Sequence, residues 1–306
     1  MRRELSRGAA ETMSNHEHQR EKSSISAPEV DIGGLQAFRP DTADTDIDPH
    51  AVNNGRAARI PVTVSIVSHG QGAMVAQLLH DLGRCPQVVR VVLTQNIPED
   101  DIPCPESLAT RIERIRNRHP LGFAANHNQA FGSCDTQLFA VLNPDIRLTS
   151  DPFPQLAAAL ESNNAGVIAP AVLNPAGLLE DSAREFPTPL RVLRRLLRGS
   201  DGRIVSEGKA PHDVDWVAGM FLLFPARTFR QFGGFDTGFH MYYEDVDICT
   251  RLWRDGQRVM IHPGATVIHD AQRASRRNIR YMAWHISSMV RYFVLHLWRL
   301  PRSRYS

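Results

Sequence analysis

Three acids fall within four positions of the stretch MYYEDVDICTRLW, residues 241–253: Glu244, Asp245 and Asp247. Carboxylates this crowded repel one another. Three uses account for such a cluster: a solvated helix start, a metal site, or the acid–base machinery of an enzyme. Asp247 stands four residues before Arg251, the spacing of an ion pair on the outer face of a helix. Ile248, Leu252 and Trp253 define that helix's buried face. Glu244 and Asp245 are left at the helix start, behind Tyr242 and Tyr243. Two readings of them are open. Either they complement the positive end of the helix, or they sit in the wall of a pocket where a carboxylate serves as general base. The Gly-, Phe- and Met-rich loop in front of them favours the pocket.

Two further residues have types suited to a cation. Asp145 follows a strand-like run in LNPD, and His269 ends another in TVIHD. An Asx-turn and a structural histidine are the plain readings. Hard oxygen with one imidazole would otherwise suit Mg²⁺ or Mn²⁺ bridging phosphates. No spacing in the sequence brings 145 and 269 together. GFAANHNQA supplies Gly122 for close backbone approach, with Asn126 and Asn128 as hydrogen-bonding groups, or simply caps a helix. It is neither a Walker loop, for no GK[ST] follows, nor a dinucleotide fingerprint, for GxGxxG is absent.

The elements that must position these residues alternate in type. Val62 to Val67 is a β-branched run that reads as a buried strand. MVAQLLHDLGRC reads as a helix, VVRVVLTQN as a second strand, and TRIERIRN as a short third one. A helix near 124–133 and the strand of TQLFAVLNPDIRL follow. Strand–helix–strand units of this length build a parallel sheet. Ligands of such sheets bind beyond the carboxyl ends of the strands, where LTQN and LNPD lie. FPQLAAALESN is a helix, AGVIAPAVL a strand, and PLRVLRRLLRG a short basic helix. Residues 199–212 read as a loop and VDWVAGMFLLFPARTF as one strand leading into a helix. The helix DVDICTRLWRDG is closed by Gly256, and RVMIHPGATVIHD is the last strand.

With 306 residues, 42% of them hydrophobic and 22% charged, the chain has material for a substantial core. Its net charge of +2 gives no overall field for nucleic acid. Cys85, Cys104, Cys134 and Cys249 form no CxxC and read as reduced thiols of a cytoplasmic protein. Residues 1–58 are polar and poor in aromatics, the composition of a disordered tail. The N-terminus has no apolar h-region. From Ala271 to Ser306 there are eight arginines and no Asp or Glu. Within this segment, 277–300 reads as an amphipathic helix, with Ile279, Met282, Ile286, Val290, Phe293, Val294 and Leu297 on one face. That face docks on the domain, or rests on an anionic membrane surface, and the two readings are compatible.

In their order, VSIVSHG, GFAANHNQA, LNPD, VDWVAGMFLLF, GGFD, YYEDVDICTRLWRDG and VIHDAQRAS resemble the family 2 glycosyltransferases. The similarity is greatest to the branch of bacterial rhamnosyltransferases and galactofuranosyltransferases that build cell-envelope polysaccharides. It runs from about Pro61 to about Leu300. The resemblance implies an α/β GT-A fold, Rossmann-like, with a mostly parallel central sheet flanked by helices. It implies a nucleotide-sugar-binding half at 59–150, an acceptor-binding half at 151–276 and the C-terminal helix at 277–300. The reaction implied is metal-dependent inverting transfer of a sugar, rhamnose from a dTDP-sugar above all, to a lipid-linked or polysaccharide acceptor. The place implied is the inner face of the cell membrane. Asp145 and His269 would hold the divalent cation (Mg²⁺ or Mn²⁺), Asp245 would be the general base, and Glu244 its neighbour on the acceptor side. Ser68, His69, Asn96, Gly122, Asn126 and Asn143 would contact the donor. Trp216, Gly219 and Arg184 would contact the acceptor.

The sequence departs from the family pattern at two strand ends. Gln95 stands where an Asp is usual, with Asn96 kept, and His69 replaces part of an aromatic–Asn pair. These changes leave open a non-catalytic relative that binds nucleotide sugar or glycan. A nucleotidyltransferase is a weaker rival, because SHGQGAMV lacks the basic residue that its loop needs.

Overall fold

The computed structural model describes residues 59–198, 208–270 and 279–301. The expected tail at 1–58, the larger part of the expected loop at 199–212 and the segment 271–278 lie outside the described residues.

The first half is a parallel ladder. Strand β1 (Val62–Ser68) pairs with β2 (Val88–Gln95) and with β4 (Leu138–Leu142), and β2 pairs with β3 (Ile112–Arg116). Helix α1 (Gly72–Leu82) crosses between β1 and β2, and α2 (Phe123–Phe131) between β3 and β4. The alternation along β1 sorts the two faces of the sheet. Val62, Val64 and Ile66 enter the core under α1 and α3 (Phe153–Ser162). The opposite face takes Thr63 and Ser65, which bond Thr136 Oγ1 and His127 Nδ1, both at 2.8 Å. Burial pushes the His127 imidazole down to about 3, so it is a neutral core histidine.

The second half continues the same sheet. Strand β5 (Ile146–Arg147) follows β4, and β6 (Ala165–Leu173) runs parallel to β11 (Arg258–His269). Between β4 and β6 lies β10 (Phe221–Pro225), antiparallel to both. Strand order is β3-β2-β1-β4-β10-β6-β11-β5, with β8 (His212–Asp213) added beside β11. The run expected as one strand is therefore two. β9 (Trp216–Val217) turns away to pair with β7 (Ala183–Arg184), and the chain breaks at Gly219 before β10. The expected loop likewise ends in the short β8.

Helices α5 (Ala226–Gln231) and α6 (Glu244–Arg254) cover the face that α2 covers, over a core that includes Phe139, Phe224, Phe229, Ile248 and Leu252. Helix α4 (Pro189–Arg198) is the expected basic helix. Gly256, at φ +79°, ends α6 as expected. The Gly256 and Gln257 amides donate back to Trp253 O and Leu252 O, a Schellman closure. All four cysteines are free, and Cys85, Cys134 and Cys249 are buried.

Helix α7 (Ile279–His296) docks on the domain, but not by most of the expected apolar face: Phe293 packs half-buried, whereas Met282 is 61% exposed, Val294 76% and, just past the helix, Trp298 91%. The face that docks is Ser288, Tyr292 and His296. Ser288 Oγ donates to Met241 O at 2.9 Å, and Tyr292 Oη lies 2.9 Å from Thr250 Oγ1. Polar partners, not apolar burial alone, set which way this helix faces. No helix among the described residues is long and apolar enough to cross a membrane.

Candidate active site

The parallel strands deliver Ser68, Gln95, Asn143 and His269 to one end of the sheet, their carboxyl end. Antiparallel β10 brings its start, and with it Gly219, to the same end. A cavity of about 390 Å³ lies at the opposite end, around Thr136, Leu138, Pro225 and Arg227, away from these residues.

Asp145 and His269 meet at the carboxyl end of the sheet. The antiparallel pairing of β5 with β11 sets His269 opposite Ile146, and the Asp270 amide donates to Asp145 O at 3.0 Å. The turn before β5 is closed by the Ile146 amide on Asn143 O, and the Asn143 amide donates to Met220 O at 2.9 Å. Asp145 Oδ2 lies 3.2 Å from His269 Nε2, and Glu180 Oε2 lies 2.6 Å from His269 Nδ1. Burial works against the charged imidazole, but Asp145 and Glu180 on either side outweigh it and push its pKa up to about 8. Asp145 Oδ1 is buried without a hydrogen-bond partner. Among the described residues no group of three or more His, Cys, Asp or Glu is arranged to hold a metal by itself. A cation here would share Asp145 and His269 with oxygens of a bound ligand, the usual habit of Mg²⁺ at phosphates.

Glu244 and Asp245 begin α6, behind two residues in the left-handed region: Tyr242 at φ 70° and Tyr243 at φ 69°. Side chains other than glycine adopt this conformation at a cost, and such strain concentrates at functional sites. Asp245 Oδ2 accepts from the Gly219 amide at 2.9 Å, and its Oδ1 accepts from the Val246 amide at 2.8 Å. Burial raises its pKa, and these amides with the Arg184 charge offset part of the rise. Glu244 has no comparable support. Its Oε2 is buried and unpartnered, and burial followed by the charge of Asp245 pushes its carboxyl well above the usual range. Both carboxyls are thus raised, and the proton on one depends on the charge of the other.

Trp216, Gly219 and Arg184 gather around this pair. Arg184 lies over the Trp216 ring at 5.7 Å and pairs with Asp181. Trp216 Nε1 donates to Glu185 O at 2.9 Å. A Cβ on Gly219 would come within 3.1 Å of the Phe123 ring, so glycine lets that ring close on the Asp245 support.

Asp247 forms its expected bond with Arg251, at 2.8 Å, but not on an outer face. It is 2% exposed, and His296 Nε2 from α7 lies 2.7 Å from its other oxygen. The Arg251 guanidinium also donates to Phe232 O and Gly234 O. This acid ties α6 to α7 and to the loop before it.

Of the residues expected at the donor, several are tied up inside the protein. Asn126 is 1% exposed; it donates to Leu121 O and Gly122 O and accepts from Asn117. Asn96 donates to Leu121 O and accepts from Asn117 and from the Leu121 amide. Asn128, the other amide of GFAANHNQA and not one of the expected donor contacts, bonds both main-chain groups of Phe235. The close approach that requires Gly122 is to His240 O, which a Cβ would meet at 2.3 Å. These groups hold the 117–126 segment and the loop before α6 in place. His69 is exposed, with Nδ1 3.2 Å from Asn96 Nδ2. Gln95 donates to Asp100 O and accepts from Arg116, so its amide is engaged. Ser68 Oγ donates to Glu99 Oε2 at 2.9 Å, and Glu99 Oε1 is buried without a partner.

Glu99, Asn117 and Glu180 were not singled out in the sequence. Glu99 lies in the acid-rich loop after β2, a signal that was available. Glu180 reaches His269 across 89 residues with no motif of its own.

The profile of the family described as glycosyl transferase family group 2 matches residues 138–301. The rhamnosyltransferase WbbL of Escherichia coli K12 is 27% identical over 252 residues, 76% of this chain and 92% of that protein. The N-acetylglucosaminyl-diphospho-decaprenol L-rhamnosyltransferase of Mycobacterium tuberculosis is 30% identical over 148 residues, 45% of this chain and 48% of that one. Among solved structures, the mannosyltransferase PcManGT of Pyrobaculum calidifontis, in complex with GDP-Man and Mn²⁺, superposes with a TM-score of 0.54. It is 14% identical, with 81% of this chain and 67% of that one covered. GalNAc-T7 with UDP, GalNAc and Mn²⁺ superposes at 0.55, with 15% identity and 72% and 45% coverage. At such identities the likeness establishes the fold, the GT-A architecture, and nothing finer.

Proposed function

Because the chain belongs to glycosyl transferase family group 2, we propose that it is a metal-assisted inverting glycosyltransferase, moving a hexosyl or deoxyhexosyl group from a nucleoside diphosphate sugar to a lipid-linked or polysaccharide hydroxyl. Rhamnose is the preferred sugar, on the strength of the two rhamnosyltransferase relatives. The observation that carries the reading is one carboxylate, Asp245, held by two main-chain amides at the same end of the sheet as the Asp145–His269 pair.

Asp245 is the general base in this reading. It takes the proton of the acceptor hydroxyl as that oxygen attacks the anomeric carbon, and the bond from that carbon to the nucleoside diphosphate breaks on the opposite face. A raised carboxylate pKa suits the task, because a base works best when its pKa approaches the working pH. Glu244, keeping its proton, donates a hydrogen bond to the acceptor or to Asp245 and adds no second charge. Arg184 and Trp216 form the acceptor wall.

Asp145 and His269 would hold the divalent cation, which when bound neutralises charge on the departing diphosphate. Their chemistry fits that role. Asp145 Oδ1 is unpartnered, and Glu180 on His269 Nδ1 leaves Nε2 as the ligating nitrogen, the arrangement in which a carboxylate orients a metal-binding imidazole. At the β1 and β2 ends, Glu99 supplies the carboxylate that Gln95 lacks, and its free oxygen would accept from the nucleobase or ribose. In this reading the nucleotide sugar lies mainly against 59–150 and the acceptor against 151–276, with His269 and Glu180 of the second half reaching the donor diphosphate.

The test is a panel of nucleoside diphosphate sugars with a polyprenyl-diphosphate saccharide acceptor, followed by release of nucleoside diphosphate and mass of the product. Turnover of a dTDP-deoxyhexose above all others is expected. Binding of nucleotide sugar without turnover of any would sink the enzyme reading and favour a non-catalytic binding protein.

A further inference from the structure

The Asp145–His269 contact depends on a very short element. Strand β5 has two residues, and its ladder with β11 pairs Arg147 with Ile268 and Ile146 with His269. So short a ladder opens locally unless something else ties it down. The tie comes from α1. Asp81 lies there, 67 residues before Leu148, and is 1% exposed. Its Oδ2 accepts from the Leu148 amide at 3.0 Å and from Arg147 Nε at 2.7 Å. Its Oδ1 accepts from Arg147 Nη2 at 3.3 Å and from Arg84 Nη2 at 2.9 Å.

A buried carboxylate is costly unless its bonds are made, and both oxygens of Asp81 have them. Burial would raise its pKa, but Arg147, the Leu148 amide and Arg84 outweigh burial and hold it below the ordinary value of 3.8. Packing of α1 does not call for this charge, since Val75, Leu78, Leu79 and Leu82 bury the helix on the sheet. The charge is explained by β5. Arg147 is the last residue of that strand and Leu148 follows it. Arg84 also donates to Leu148 O at 3.3 Å, so both main-chain groups of Leu148 are held from α1. Arg147 Nη1 reaches Gln77 Oε1, one turn earlier on the same helix, at 2.8 Å. A well-packed helix thus grips one end of β5, and Asp145 stands at the other.

We propose that Asp81 is a positioning residue for the cation site: by clamping Arg147 and Leu148 from α1, it sets the turn that carries Asp145 against His269. The proposal rests on the reading of Asp145 and His269 as cation ligands. Asp81 acts through the backbone around Asp145. Asp145 O accepts from the Asp270 amide at 3.0 Å, and the Ile146 amide closes the turn on Asn143 O at 3.3 Å. Both bonds require β5 to stay in register with β11. A ligand carboxylate binds well only when its support holds it in place before the ion arrives.

The test compares the full wild-type chain with Asp81→Asn, which keeps the size of the side chain but not its charge or its second acceptor oxygen. Mn²⁺ binding in the presence of dTDP is followed by the paramagnetic resonance of the free ion, and main-chain amide exchange by NMR. About tenfold weaker Mn²⁺ binding is expected, with dTDP affinity in the absence of Mn²⁺ unchanged. The Asp270 and Ile146 amides should exchange at least about tenfold faster, while those of β1 do not change. Phe229→Leu, which loosens the core under α5, should bind Mn²⁺ as wild type does, and this separates positioning from lost stability. Where Asp81→Asn does not fold, Arg147→Met carries the test, because Arg147 is 40% exposed; at least about threefold weaker Mn²⁺ binding is expected of it. Wild-type Mn²⁺ affinity or wild-type exchange in the Asp81 variant overturns the inference, and so does an equal loss of affinity in Phe229→Leu. A wild-type chain that binds no Mn²⁺ is a different failure. It removes the cation reading, and amide exchange alone then decides whether Asp81 places Asp145.

Discussion

Asp145 Oδ2 lies 3.2 Å from His269 Nε2, and the two are brought together by the two-residue strand β5 lying antiparallel to the end of β11. The contact joins a residue after a strand of the first half to the last residue of a strand in the second. If it holds a cation at the donor diphosphate, calorimetry of nucleoside diphosphate binding should show tighter binding with Mn²⁺ than without. Asp145→Ala should abolish that difference. Equal affinity in both conditions would remove Asp145 and His269 from this role.

Glu180 touches His269 from the other side, at 2.6 Å. A carboxylate that orients a ligating imidazole is worth about 10–100-fold in cation affinity. Glu180→Gln should lower Mn²⁺ affinity by that factor and leave nucleotide binding without the cation unchanged. A variant with wild-type Mn²⁺ affinity would make Glu180 merely structural.

Glu244 gives the protein a pH dependence of definite sign. Its carboxyl is raised by burial and by Asp245. The folded state therefore keeps a proton that the unfolded state has released above the ordinary value of 4.5. Stability falls as pH rises from there toward the folded pKa. Glu244→Gln removes the titration. Its melting temperature relative to wild type should improve as pH rises above 4.5. A constant offset across that range would mean that Glu244 is not raised.

Tyr292 is fully buried with its hydroxyl 2.9 Å from Thr250 Oγ1. Thr250 keeps a second bond, to Val246 O at 2.8 Å, so Tyr292→Phe costs the worth of one hydrogen bond, about 0.5–1.5 kcal/mol. Denaturant unfolding at neutral pH measures it. Loss of several kcal/mol would mean that this contact holds far more of the α6–α7 seam than one bond does.

The parallel half of the sheet was legible because its strands are β-branched runs separated by helices, and residues at strand ends must lie at one edge. The start of α6 was legible because the aromatic loop ahead of it and the Gly256 closure bracket the helix. Asp247 shows where pattern stops. Spacing found Arg251, but an i,i+4 pair carries no information about burial, which His296 decides from 49 residues away. Helix α7 shows the same limit. Its periodicity picked out an apolar face, yet the side that docks is chosen by Met241 O, Thr250 and Asp247, none of which its own sequence encodes. The internal engagement of Asn96, Asn126 and Asn128 escaped for the same reason: a carboxamide's residue type is the same whether it meets ligand or main chain.

Whether Asp245 deprotonates the acceptor is tested most directly by transfer kinetics of wild type against Asp245→Asn. The side chains are nearly isosteric, so nucleotide-sugar affinity should persist while kcat falls about 10²–10⁴-fold, the worth of a positioned general base. An Asp245→Asn variant that transfers sugar at the wild-type rate would contradict it.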